Sequence, residues 1–208
     1  ARAAVGGADC LPLAGIGCYF VPEDAPADAP LLVYLRGHHP EHLANVPAGL
    51  WLESARQAFT AYKLGETAIE NQVVVLVSYR SGLGLTNADL AALGRESTRT
   101  FSKTILASHS GGYVGLGRTL DSGVTAARIV MLDNFFSAGR DGLPQKLQRL
   151  ISAGTGCVGF YTPRNKKNYE AGFKNAIQCS IDAMSSDDQH NAAVGACLGG
   201  YLDGLSCL

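Results

Sequence analysis

Three residues of this sequence have types and settings suited to nucleophilic chemistry: Ser110, Asp133 and His190. Ser110 lies in Ile105-Leu106-Ala107-Ser108-His109-Ser110-Gly111-Gly112-Tyr113-Val114-Gly115, which reads as a buried strand turning sharply into a helix with the serine at the corner. A residue at such a corner has a strained backbone angle, and bulky flanking side chains would collide with the opposite arm of the turn; Ser108 and Gly112 are small enough. A serine hydroxyl is a weak nucleophile until a base takes its proton during attack, so a neutral imidazole must reach it. His190 is the candidate base, in the polar segment Asp187-Asp188-Gln189-His190-Asn191 ahead of a C-terminal helix. His109, inside the corner, points away from Ser110 and is expected to pack near the site as a contact to substrate. Asp133 closes an apolar run, where a carboxylate is costly to bury without a partner. An imidazole whose tautomer it holds supplies one. Asp182, Asp187 and Asp188 are rival acids.

The elements that position these residues follow from apolar patterning. Cys18 to Val21 reads as an edge strand stopped by Pro22. Leu31 to Leu35, Val73 to Val77, Lys103 to Ala107, Ala127 to Leu132 and Val158 to Tyr161 read as strands; uninterrupted apolar runs bounded by turn signals suit strands buried on both faces. Between them Leu52, Ala55, Phe59 and Tyr62 fall at helical spacing, with Gly65 as a stop. Further helices are expected from Thr86 or Asn87, after Ser110, from Gly142-Leu143-Pro144, through Tyr169, Phe173 and Ile177, and from about Ala192. Strands alternating with helices imply an α/β fold, a three-layer sandwich whose mainly parallel central sheet is covered by helices on both faces. In such sheets working residues gather at the carboxyl ends of the strands. Those ends are Arg36-Gly37-His38, Arg80-Ser81, Ser110, Asp133 and Thr162-Pro163.

The corner fits small-x-Ser-x-Gly and resembles the nucleophile elbow of the α/β-hydrolase superfamily, with Ser108 where the first glycine usually stands. The chain order Ser110, Asp133, His190 is the superfamily's order of nucleophile, acid and base. The superfamily more often places its acid one strand later. After Tyr161 this chain has only Thr162-Pro163-Arg164-Asn165, so the acid falls on the earlier strand, as in some members. The resemblance implies a serine hydrolase working through an acyl-enzyme, with Ser110, Asp133 and His190 as catalytic residues. Gly111 and either Gly37 or His38 would supply the oxyanion donors, where related lipases and esterases have His-Gly-Gly-Gly. Arg36 and His38 would add positive charge beside the acyl group, favouring a substrate with a carboxylate or polar acceptor. The activity implied is carboxylic ester hydrolysis at an open, cutinase-like site without a large lid, on small or polymeric acyl substrates. An amidase or peptidase, on cell-wall material for example, is the second reading; a non-catalytic binding module on the same fold is the third.

The 208 residues suit one domain over 1–208, expected to act as a monomer. A net charge of −1 offers no field for a nucleic acid or an anionic membrane. No apolar run approaches the roughly 20 residues that span a bilayer, and the chain opens at Ala1 without a signal-peptide pattern, as expected of a processed mature form. Six cysteines form an even set without a C-x-x-C pair; neighbours in sequence suggest Cys10 with Cys18, Cys157 with Cys179, and Cys197 with Cys207. Such pairing implies a secreted or periplasmic protein. His38, His39 and His42 do not form a metal pattern, because Pro40 interrupts the helix that would align them. Gly82-Leu83-Gly84 has Asn87 where a dinucleotide fingerprint needs its third glycine. Neither a metal nor a cofactor is expected.

Overall fold

Leu31–Leu35 and Val74–Ser78 are buried at every residue, which requires cover on both sides of the sheet they belong to. The computed structural model describes residues 10–37, 48–78, 84–134, 142–173 and 179–204. Its strands are β1 (Leu11–Leu13), β2 (Gly17–Phe20), β3 (Leu31–Leu35), β4 (Val74–Ser78), β5 (Thr104–His109), β6 (Arg128–Leu132), β7 (Gly156–Tyr161) and β8 (Ser180–Ala183). They form one sheet in the order β1-β2-β4-β3-β5-β6-β7-β8. β1 and β2 pair antiparallel, as do β2 and β4, and every other pairing is parallel.

Helices α1 (Ala48–Ala61), α2 (Leu64–Asn71), α3 (Asn87–Ser97), α4 (Tyr113–Asp121), α5 (Leu143–Ser152), α6 (Lys166–Phe173) and α7 (Gln189–Leu202) cover the sheet. Successive strand residues point to opposite faces, and the core divides accordingly. Leu32, Tyr34, Val75, Val77, Ile105, Ala107, Val130 and Leu132 pack with Phe59 of α1, Leu64 of α2 and Leu198 of α7. Leu31, Val33, Val74, Leu76, Leu106, Ile129 and Met131 pack with Leu93 of α3, Leu116 of α4 and Leu147 of α5. The expected three-layer α/β sandwich is therefore the observed one. Each fully buried leucine contributes about 2 kcal/mol relative to exposure.

Several expectations are corrected. Gly65 does not stop a helix: α1 ends at Ala61, the chain reverses through Lys63 at φ 53°, and Gly65 lies inside α2. A Cβ there would stand 3.0 Å from the Phe59 ring, so this glycine serves close packing. The two outermost strands, β1 and β8, were not foreseen, being too short for a periodic signal. Pro12 sits within β1, where an edge position tolerates its missing N–H. The final helix begins at Gln189, with Gln189 Oε1 accepting from the Ser185 and Ser186 backbone N–H groups, so His190 lies on its first turn and not in the loop before it.

Disulfides join Cys10 to Cys18 and Cys157 to Cys179. Cys197 is also disulfide-bonded, while its expected partner Cys207 lies outside the described residues. The same is true of Ile177, Arg80, Ser81, Gly82, Leu83 and of His38, His39 and His42. Residues 38–47, 79–83 and 135–141, on which a lid would depend, are also outside. Among the described residues no helix is long and apolar enough to cross a membrane, and no cluster of three His, Cys, Asp or Glu residues could hold a metal ion.

Candidate active site

β5 delivers its last residue, His109, in extended conformation, and Ser110 follows at φ 53°. That left-handed backbone is unfavourable for a residue with a side chain, at about 1–3 kcal/mol, and persists only where its surroundings enforce it. Here the end of β3 enforces it. A Cβ on Gly112 would lie 2.2 Å from the Leu35 carbonyl oxygen and 2.9 Å from that of Arg36. On Gly37 it would lie 2.6 Å from Ser110 Cβ and 2.7 Å from the His109 carbonyl oxygen. The small residues thus serve an approach between two strand ends, and not, as expected at Gly112, clearance from the other arm of the same turn.

β6 delivers Asp133, which also has a left-handed backbone, at φ 46°. It is fully buried, and its carboxylate is surrounded by donors. Oδ1 accepts from the Thr162 N–H at 2.8 Å and from Asn165 Nδ2 at 2.9 Å. Oδ2 accepts from the Thr162 hydroxyl at 2.7 Å and faces His190 Nδ1 at 2.5 Å. Burial pushes the carboxyl up, but the bonds from His190, the Thr162 backbone, Asn165 and the Thr162 hydroxyl together outweigh it and hold Asp133 below the usual aspartate range. The segment after β7 supplies hydrogen-bond donors to Asp133 at the end of the neighbouring strand.

The hydrogen bond to Asp133 fixes the orientation of the His190 ring through Nδ1. The His190 side chain is 16% exposed, against 0% for its partner. His109 holds it from behind: the two rings lie 4.6 Å apart, and His109 Nε2 donates to the His190 carbonyl at 3.1 Å. Burial, with His190 nearby adding to it, lowers the His109 pKa to about 3 and leaves that ring neutral. Tyr62 meets the His109 ring edge-on and donates to Asn191 Oδ1 at 3.2 Å. His109, expected as a substrate contact, is buried at 2% exposure between Tyr62 and His190. Arg36, assigned the same role, is half-buried and donates through Nη1 to Ser54 Oγ of α1.

The rival acids have other attachments. Asp182 accepts from the Tyr201 hydroxyl, Asp187 accepts from the Arg164 N–H, and Asp188 is exposed at the start of α7. Residues that the sequence reading assigned no role are Asn134, Thr162, Asn165 and Tyr62. A usable signal existed for Asn134: a polar residue continuing a wholly apolar strand past its aspartate must find partners. Its side-chain oxygen accepts from the Ser108 hydroxyl and the Leu132 N–H, each at 3.1 Å, and its Nδ2 donates to the Ser110 carbonyl at 2.9 Å. Its backbone N–H donates to the Tyr169 hydroxyl at 3.0 Å.

No protein-family model matches the sequence, and no curated protein does. Solved structures do resemble it. Est1E from Butyrivibrio proteoclasticus superposes with a TM-score of 0.51 at 11% identity, over 89% of this chain and 91% of that one. An uncharacterized protein from Bacillus cereus ATCC 10987 gives 0.51 at 9% identity, over 88% of this chain and 61% of that longer one. The esterase domain of a Rhodothermus marinus protein gives 0.50 at 14% identity, over 88% and 90%. With this likeness, the strand order and the mostly parallel sheet between helical layers, the chain has an α/β-hydrolase-like fold.

Proposed function

We propose that the protein is a serine hydrolase that cleaves carboxylic esters through an acyl-enzyme. The observation that carries the reading is the 2.5 Å contact between His190 Nδ1 and a fully buried, multiply bonded Asp133, which follows the strand beside the one that leads into Ser110. The printed names of two structural neighbours, Est1E and an esterase domain, agree with it. Ser110 Oγ attacks the ester carbonyl while His190 Nε2 takes its proton. Asp133 keeps Nδ1 protonated and stabilises the imidazolium. The Gly111 N–H, with that of Gly37 or His38, receives the oxyanion. Collapse passes the proton to the leaving alkoxide, and water then releases the acid by the same steps in reverse order. The disulfides support maturation in an oxidising compartment and action outside the cytosol.

Labelling with a fluorophosphonate probe tests this reading. Wild-type protein is expected to label once, at Ser110, with Ser110→Ala and His190→Ala unlabelled. Folded wild-type protein that stays unlabelled excludes the acyl-enzyme. Faster turnover of a matched amide than of its ester would move the assignment to an amidase or peptidase.

A further inference from the structure

Resting on that reading, we propose that Asn134 is a positioning residue for the oxyanion site: by holding the Ser110 carbonyl it aims the Gly111 N–H. The carbonyl of residue 110 and the N–H of residue 111 belong to one peptide unit, and no peptide bond in the described chain is cis. In a planar trans peptide the two point to opposite sides, so fixing one fixes the other. Asn134 Nδ2 holds the carbonyl at 2.9 Å from within the core, and the N–H opposite is turned away from Asn134. A donor and dipole held before the reaction is what oxyanion stabilisation requires.

The amide of Asn134 cannot turn over. The Leu132 N–H can only donate, so the atom facing it must be the oxygen, and Nδ2 is left for the Ser110 carbonyl. The Ser108 hydroxyl donates to the same oxygen, which gives that position a use a glycine would lack. The Tyr169 hydroxyl fixes the backbone of Asn134 from the other side; burial holds the phenol protonated, although the bond from Asn134 pulls the other way. A peptide whose carbonyl accepts a hydrogen bond is also polarised toward a stronger N–H donor. Asn134 acts here through the Gly111 peptide.

The test compares an ester with its thionoester, whose sulfur is a poor acceptor for oxyanion donors, in wild type, Asn134→Asp and Ser108→Ala. Asn134→Asp keeps the shape and the acceptor oxygen and removes the donor. It is expected to lower kcat by about 10- to 100-fold with KM within about two-fold, and to lower the ester-to-thionoester rate ratio about ten-fold. Ser108→Ala, which frees one of two groups anchoring Oδ1, is expected to lower the ratio by about three-fold. An unchanged ratio in Asn134→Asp, or in Ser108→Ala should the first chain not fold, overturns the proposal. Fluorophosphonate labelling of the same samples separates the failures: labelled protein with unchanged ratios removes only the role of Asn134, whereas unlabelled wild type removes the serine mechanism and the role with it.

Discussion

Asp133 and His190 meet at 2.5 Å but come from unlike surroundings. On the acid side, the ends of β5, β6 and β7 form a closed polar network: Asp133, Asn134, Thr162 and Asn165 are all about fully buried and bonded to one another's strands or loops. On the other side, His190 rides on the first turn of α7, partly buried, with the His109 ring 4.6 Å away and its own carbonyl accepting from His109 Nε2. The difference divides the labour. Asp133 is held by donors from the neighbouring strand and loop, whereas His190 is brought to it by the first turn of a helix that is itself anchored further along, at Val194, Leu198 and Tyr201.

The largest expected effect breaks the pairing itself. Asp133→Asn leaves the volume and the Thr162 contact but permits the wrong imidazole tautomer, so kcat should fall about 10⁴-fold, as such replacements do in serine hydrolases. Asp187→Asn, on the exposed rim, should change kcat by less than about two-fold; a matching loss there would relocate the acid. A second contrast sets one glycine from each side against the other. Gly112→Ala drives a methyl into the Leu35 carbonyl and should destabilise the protein by about 3 kcal/mol in urea unfolding. Gly200→Ala in α7 meets nothing within 4 Å and should instead stabilise it by about 0.5–1 kcal/mol. Equal responses would erase the proposed asymmetry.

A further contrast is one of pH. His109 is neutral in the fold down to about pH 3, while in the unfolded chain its ring takes a proton below about 6.5. The unfolded state then binds more protons, so stability present above pH 6.5 is lost as pH falls toward 3. His109→Phe should make the decline over that window shallower, by at most about 1.4 kcal/mol per pH unit. The lowered Asp133 gives stability present above about pH 4 and lost as pH falls through its folded value; it remains in both chains. Parallel stability curves for the two proteins would refute a buried neutral His109.

How much was readable follows the same division. The apolar runs at Leu31, Val74 and Ile105 announced buried parallel strands because cover on both faces removes polar alternation. Ser110 and Asp133 were visible as polar residues closing such runs, and His190 as an imidazole near the start of a helix. What lay hidden depends on contacts between different elements. Asn134 bonds residues 24 and 26 positions away, Gly65 of α2 packs on Phe59 of α1, and Arg36 turns onto α1. β1 and β8 were missed because three or four residues carry too little pattern to outweigh a loop reading.

The backbone contact between the end of β3 and the elbow has an evolutionary consequence. With no room for a Cβ at Gly37 or Gly112, a substitution at either position disturbs packing before it can alter chemistry. New substrate preferences are therefore expected to arise at positions other than these two glycines. A saturation library should recover almost no functional variants at Gly37 and Gly112, leaving a fixed island of backbone contact.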